Sequence, residues 1–128
     1  MVSLDSSFLI DLLAGDRRAV DKARELDQAG EPKYVTPPVV SEVLLGAYRL
    51  GAAYLVRTQS LLGSLPLLPF DRESADEAGR LGSELLRRGT PVSQGELFVA
   101  AITKRHGERL LTNDRDFSRV PGLLVEGY

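Results

Sequence analysis

Several acidic residues of this chain stand at the end of an apolar run or early in the helical pattern that follows one. The first ends the run VSL, two lie near the starts of later predicted helices, and two follow the run RLLT. They are Asp5, Glu42, Glu96, Asp114 and Asp116. Ligands bind beyond the carboxyl ends of the strands in open parallel sheets, so we expect these carboxylates to meet at one edge of a sheet.

Carboxylates that converge in this way repel one another in a dry site unless a divalent cation lies between them. The chain contains no cysteine and a single histidine, His106, which excludes zinc–thiolate and multi-histidine centres. A cation held by carboxylate oxygens alone is a hard one, such as Mg²⁺ or Mn²⁺. The acidic residues therefore predict a magnesium-type site.

The composition is that of a globular domain. With 128 residues, 43% of them hydrophobic and 27% charged, the sequence predicts one domain spanning residues 1–128. A net charge of −2 argues against a protein that holds nucleic acid by bulk charge alone. We found neither an apolar run approaching the roughly 20 residues of a membrane span nor a signal peptide, so we expect a cytoplasmic protein without membrane contact.

Apolar runs and amphipathic stretches alternate along the chain. Predicted strands cover residues 1–4, 34–36, 65–70 and 109–112, with a possible edge strand in 123–128. Predicted helices cover 6–15, 17–29, 37–50, 52–65, 72–89 and a last stretch that Ser93 opens and that ends at 107. Strands separated by helices indicate a three-layer α/β/α sandwich with a central parallel sheet of four to five strands.

Each acidic residue also has a purely structural interpretation. Asp5 can bond the backbone N–H groups of the helix it precedes, and Glu42 can favour a helix dipole. Ser93 and Glu96 have the spacing of a capping box, in which the glutamate bonds back to the cap residue. The run Asn113–Asp116 can be a capped turn in the same way. Taken singly, none of these residues establishes a site.

The order of the motifs carries more information than any one of them. The segments VSLDSSFLIDLL, VVSEVLLGA and LLTNDRDFSRVPGL follow one another along the whole chain. In this arrangement the sequence resembles the PIN-domain ribonucleases, most closely the VapC-type toxins of toxin–antitoxin pairs. The resemblance implies that the metal-binding acids are Asp5, Glu42, Glu96 and the pair Asp114 and Asp116, of which one would be the direct ligand. It also implies that Ser6 and Thr112 lie in a second layer around them, where hydroxyl groups orient carboxylates or water. Asn113 would be either a neighbour of the ligands in that layer or only a cap.

The resemblance further implies the activity and the partners. It predicts a Mg²⁺-dependent endoribonuclease, with Mn²⁺ as a possible substitute, that acts as a toxin and binds a cognate VapB-like antitoxin. RNA would be held by basic side chains, for which Arg49, Arg57 and Arg115 are candidates. The third acid of this family is usually aspartate, whereas this chain has Glu96, preceded by Gly95. The alternative is therefore a catalytically weakened PIN-like scaffold that acts by binding protein or RNA.

The helices predicted between residues 37 and 65 are more apolar than one buried face requires. Leu45, Tyr48 and Leu50 fall largely outside the core-facing stripe of the first of them. Soluble monomers rarely expose a contiguous apolar patch of this kind. We therefore expect a homodimer, with residues 39–62 in its interface, as the resemblance also implies.

Overall fold

The computed structural model describes residues 1–128 as a parallel four-stranded sheet with α-helices packed around it. The strands are β1 (Val2–Leu4), β2 (Lys33–Tyr34), β3 (Arg109–Leu111) and β4 (Leu124–Glu126). The helices are α1 (Ser6–Leu13), α2 (Arg17–Gln28), α3 (Pro37–Leu50), α4 (Ala52–Gly63), α5 (Arg72–Arg87) and α6 (Gln94–Arg105), and a 3₁₀ helix spans Arg115–Arg119. The expected α/β/α sandwich with a central parallel sheet is confirmed.

The strand order β2-β1-β3-β4 places the first strand in the interior of the sheet. Ser3 of β1 pairs with Tyr34 on one side and with Leu110 on the other. From β1 the chain passes outward to β2, and it later returns to the other side of β1 as β3. The order of the strands therefore reverses between β1 and β3, where a crevice opens beyond the carboxyl ends.

The two interior strands, β1 and β3, are part of the hydrophobic core. Val2, Leu4, Leu110 and Leu111 are at most 2% exposed, as expected for parallel strands covered on both faces. Helix α1 packs against α2 and α3, and α6 packs against α3, α5 and β3. Both interior strands are buried in the core, and this packing fixes the positions of the residues that follow them, Asp5 and Thr112.

One predicted strand, residues 65–70, is wrong. This segment makes a single parallel bridge, between Leu67 and Val35, and no ladder. Leu68 donates its N–H to the Val35 carbonyl, and Val35 donates its N–H to Pro66. Pro66 has no N–H to donate to Lys33, and Pro37 has none to donate to the Leu68 carbonyl, so the pairing cannot continue in either direction. The sheet accordingly has four strands, the lower end of the expected range.

The apolar surface predicted on the helices after β2 is present. The exposed fractions of Leu45, Tyr48 and Leu50 are 62%, 65% and 67%, and Val56 on α4 is 64% exposed. Packing of α3 against α4 therefore leaves these side chains uncovered. None of the helices combines the length and the apolar character that crossing a bilayer requires.

Candidate metal centre

A cavity of about 530 Å³ opens at the carboxyl edge of the sheet. Side chains from four segments line it, and its polar members are Asp5, Ser6, Ser41, Glu42, Ser93, Glu96 and Asp114. Pro38, Leu45, Val99 and Phe117 form its apolar wall. The expected convergence of carboxylates from separate segments thus places Asp5, Glu42, Glu96 and Asp114 around one space.

Asp5 is the most deeply buried of these acids. Its residue is 4% exposed, and its Oδ2 atom accepts hydrogen bonds from Thr112 Oγ1 at 2.7 Å and Ser7 Oγ at 3.2 Å. Burial raises the pKa of Asp5 above its ordinary value, and the negative charge of Glu42 acts in the same direction. The bonds from Thr112, Ser7 and the Ser6 backbone oppose that rise in pKa. A cation beside Asp5 would favour its charged form and so lower its pKa further.

The hydroxyl groups around Asp5 form a small network. Ser7 Oγ lies 3.2 Å from Thr112 Oγ1, which also accepts a 3.0 Å bond from the Asp114 N–H. Thr112 therefore links the carboxylate of Asp5 to the backbone of Asp114. Sequence reasoning assigned a role to Thr112 and to Ser6 but not to Ser7. The signal that was available is the position of Ser7 two residues after Asp5, in the first turn of α1.

Glu96, Asp114 and Asp116 form the tightest group of acids. One carboxylate oxygen from each lies within 4.8 Å of the others. Burial raises the pKa of Glu96, and hydrogen bonding with Asp114 and Asp116 adds to the rise, while the bonds from Ser93 reduce it. Asp116 does not line the cavity itself, although its carboxylate reaches the other two. The structure therefore brings three of the five predicted ligands into direct proximity.

Two of the capping roles considered from the sequence are real, whereas Asp5 makes no side-chain cap bond and Glu42 lies beyond the first turn of α3. Glu96 Oε1 accepts from the Ser93 N–H at 2.9 Å while Ser93 Oγ accepts from the Glu96 N–H at 3.2 Å, which completes a capping box. Asp114 Oδ1 accepts from the Asp116 N–H at 2.9 Å and so caps the 3₁₀ helix. Each carboxylate has a second oxygen, which is not used in these bonds. Capping and metal binding are thus compatible at both residues.

The remaining predicted residues lie in different surroundings. Glu42 is exposed and reaches the cavity from α3, on the side of Asp5. Ser6 is 7% exposed and lines the cavity. Asn113 points elsewhere: its side-chain amide bonds the backbone of Tyr128, at 3.0 Å from Nδ2 to the carbonyl and 2.9 Å from the Tyr128 N–H to Oδ1.

The donor set of the cavity fits a hard divalent cation. All its charged ligand atoms are carboxylate oxygens, which Mg²⁺ and Mn²⁺ prefer. Of the five acids, only Asp116 forms an ion pair, with Arg119 at 3.5 Å. The negative charge at this edge is therefore almost uncompensated by the chain itself, and it adds to burial, the main cause, in raising the pKa values of Asp5 and Glu96.

The basic side chains considered for RNA binding divide into two kinds. The Arg57 guanidinium donates a 2.6 Å bond to the Leu13 carbonyl and lies over the ring of Tyr54, 5.5 Å from its centre. Arg57 thus ties α4 to the end of α1. Arg49 and Arg115 are exposed and make no ion pair, so both remain accessible to a ligand.

Fold and site together define a parallel α/β protein with an oxygen-only acidic cavity at its topological switch point. The PIN domain family matches residues 2–123, and this chain belongs to that family. Ribonuclease VapC5 of Mycobacterium tuberculosis is 30% identical over 110 residues, which cover 81% of this chain and 82% of that protein. The family predicted from the order of the sequence motifs is therefore confirmed.

Two further proteins are similar to this chain. The tRNA(fMet)-specific endonuclease VapC of Salmonella typhimurium is 31% identical over 75 residues, and this alignment spans 58% of the chain and 57% of that relative. The solved structure of VapBC-5 from M. tuberculosis, a member of the VapBC family of toxin–antitoxin systems, superimposes with a TM-score of 0.71. At 25% identity, it covers 98% of this chain and 94% of that one.

Proposed function

We propose that this protein is a Mg²⁺-dependent endoribonuclease that hydrolyses RNA phosphodiester bonds as the toxin of a toxin–antitoxin pair. The single observation that carries the proposal is the convergence of carboxylates from four segments on one cavity. Only one of the five acids, Asp116, is paired with a basic side chain. The names of the relatives, a ribonuclease and a tRNA-specific endonuclease, support RNA as the substrate.

The acidic residues would coordinate the ion together. Asp5, Glu96 and the pair Asp114/Asp116 are the principal ligands in this proposal, with Glu42 binding directly or through water. A bound Mg²⁺ or Mn²⁺ ion supplies an activated water and neutralises charge on the phosphate and on the leaving oxygen. The oxygen-only donor set is what makes either ion suitable.

The surrounding side chains orient these ligands. The hydroxyl groups of Thr112 and Ser7 hold Asp5 Oδ2, and Thr112 also bonds the backbone of Asp114. The carboxylate of Asp5 and the backbone of Asp114 are thereby kept in one arrangement before the ion binds, which lowers the free-energy cost of assembling the site. Leu45 and Val99 border the cavity on one side.

The proposal includes partners and location. By similarity to a member of the VapBC family of toxin–antitoxin systems, we propose that a VapB-like antitoxin binds this chain. We propose a cytoplasmic protein of one domain, residues 1–128, that acts as a homodimer. The exposed side chains of Leu45, Tyr48, Leu50 and Val56 support the dimer.

One observation favours the alternative of a weakened scaffold that acts by binding. Glu96 Oε1 is engaged with the Ser93 backbone, so this carboxylate is partly committed to the helix cap. The resemblance to the PIN-domain ribonucleases implies an aspartate at this place. A weakened protein would still bind the ion and RNA but would turn over slowly.

The test is cleavage of total tRNA by the purified protein in Mg²⁺, in Mn²⁺ and in EDTA. We expect ion-dependent cleavage that Asp5→Asn reduces by about a hundredfold or more, since loss of a metal ligand costs several kcal/mol of transition-state stabilisation. Asp76→Asn is the matched control, because Asp76 is exposed on α5 and forms no ion pair. Ion binding without any ion-dependent cleavage would support the scaffold instead.

A further inference from the structure

Asn113 continues the parallel sheet beyond the ends of two strands. The Thr112 N–H donates a 2.9 Å bond to the Glu126 carbonyl, next to the pairing of β3 with β4. One residue further on, the Asn113 amide both donates to and accepts from the backbone of Tyr128. An asparagine amide offers the same donor and acceptor as a peptide group, so the side chain acts as one more rung of the ladder.

The chain comes close to Asn113 at this point. A Cβ atom on Gly127 would lie 3.2 Å from Asn113 Oδ1, which is tighter than an ordinary van der Waals contact. Glycine therefore permits the approach that lets Tyr128 reach the amide. The contact is a close-packed one that a single methyl group would disturb.

The side chain of Tyr128 contacts helix α1, on the Asp5 side of the site. Its ring meets Phe8 edge to face, with centroids 5.0 Å apart and an interplanar angle of 79°. Its hydroxyl donates a 2.6 Å bond to Asp11 Oδ2. Burial and the neighbouring Asp11 raise the pKa of Tyr128 well above its ordinary value, so the phenol remains a donor at neutral pH. Phe8 and Asp11 both belong to α1, which begins directly after Asp5.

We propose that Tyr128, held by Asn113, is a positioning residue for the metal centre. Its backbone holds the segment 112–114, which carries Thr112 and Asp114, and its side chain holds α1, which starts beside Asp5. Tyr128 thus sets the separation between two parts of the acidic site without touching an acid of that site. This inference rests on the proposed function, because it assigns Tyr128 to the same centre.

The test uses Mn²⁺ binding to the whole protein, measured by calorimetry, as a readout separate from cleavage. We expect Asn113→Ala and Tyr128→Ala to raise the Mn²⁺ dissociation constant about tenfold, the lower end of effects seen for residues behind metal ligands. Tyr128→Phe keeps the ring and the backbone bonds, so its affinity should remain near that of the wild type. Tyr34→Ala, a half-buried tyrosine of the edge strand β2, is the control.

A positioning role also predicts how cleavage responds to the ion. In Asn113→Ala and Tyr128→Ala, the Mn²⁺ concentration for half-maximal cleavage should rise, and saturating Mn²⁺ should restore the rate. Wild-type Mn²⁺ affinity in both folded variants would overturn the inference, as would a loss of rate that no Mn²⁺ concentration recovers. If Tyr128→Ala does not fold, Gly127→Ala decides in its place, because it disturbs the same contact while removing no side chain.

The two proposals fail in different ways. A wild-type protein that binds Mn²⁺ but cleaves no RNA refutes the proposed function, and the affinities of the variants still decide the role of Tyr128. A wild-type protein that cleaves RNA, with variants that bind Mn²⁺ as it does, refutes only the positioning role. A wild-type protein that binds no Mn²⁺ refutes both.

Discussion

The hydroxyl group of Thr112 donates a 2.7 Å hydrogen bond to Oδ2 of Asp5, across the boundary between the two interior strands. The two residues follow Leu111 and Leu4, which are paired in the sheet. The Asp5 N–H also donates to the Leu111 carbonyl at 3.1 Å. Sheet register therefore places the buried carboxylate and its strongest partner side by side.

Removing that hydroxyl should weaken the site. We expect Thr112→Val to lower Mn²⁺ affinity about tenfold, since Asp5 loses an orienting bond, and to lower the free energy of unfolding by about 1 kcal/mol. Calorimetry and urea denaturation measure the two effects. Thr58→Val is the matched control, because Thr58 is also buried and bonded, to the Tyr54 carbonyl at 2.8 Å, but lies on α4. Equal Mn²⁺ affinity in the two variants would contradict the role of Thr112.

The charged Asp5 carboxylate should lower the free energy of unfolding of the metal-free protein at neutral pH. Its raised pKa means that the folded protein holds the proton more tightly than the unfolded chain does. That contribution to stability is present below the ordinary pKa of 3.8 and is lost as the pH rises through the raised value. In EDTA at neutral pH, Asp5→Asn should therefore unfold at a higher urea concentration than the wild type. The difference should shrink near pH 4; a difference independent of pH would argue against this explanation.

Binding of Mn²⁺ should strengthen as the pH rises. The pKa values of Asp5 and Glu96 are both raised, by burial first and by neighbouring carboxyl groups in addition. Each must lose its proton before it can hold the ion, so protons compete with Mn²⁺ until the pH exceeds these raised values. Calorimetry across the acidic range should show affinity increasing and then levelling off. Constant affinity from acidic to neutral pH would be inconsistent with ligation by these two groups.

The two roles of Glu96 can be separated by mutation. Glu96→Gln keeps an oxygen for the Ser93 N–H, so we expect near wild-type stability and a loss of cleavage of about a hundredfold. Ser93→Ala removes the cap and keeps the carboxylate, so we expect a loss of about 1 kcal/mol in stability, with cleavage largely retained. Thermal melting and the tRNA assay compare the two variants. Full activity in Glu96→Gln would show that Glu96 serves only as a cap.

The apolar surface of α3 and α4 should form a two-fold contact. Sedimentation of the wild type at micromolar concentration should give about twice the chain mass of 14.0 kDa. Tyr48→Glu should give a monomer, because it places a charge in the apolar patch. Leu86→Glu is the control, since Leu86 on α5 is 69% exposed, against 65% for Tyr48. A monomeric wild type, or dissociation by Leu86→Glu alone, would refute this interface.

Local features of the sequence were enough to predict most of the elements. Pro37 lies in the first turn of α3, Asp71 caps α5, and Ser93 and Glu96 form the capping box of α6, so these three helices begin where they were predicted to begin. These features act within one turn of a helix, so neighbouring residues decide them. The strand predicted for residues 65–70 failed because its apolar pattern suggested pairing, whereas Pro66 and Pro37, on either side of the single bridge, have no N–H with which to extend a ladder.

The sequence by itself determined which acids stand at strand ends or early in helices, and hence which residues were candidates for the site. Only the tertiary structure decided how they are held. The bonds of Thr112 to Asp5 and of Tyr128 to Asp11, and the contact of Ser7 with Thr112, join residues 107, 117 and 105 positions apart. No periodicity or capping rule acts over such separations. These contacts exist because the sheet places β1 beside β3 and carries the chain after β4 back to α1.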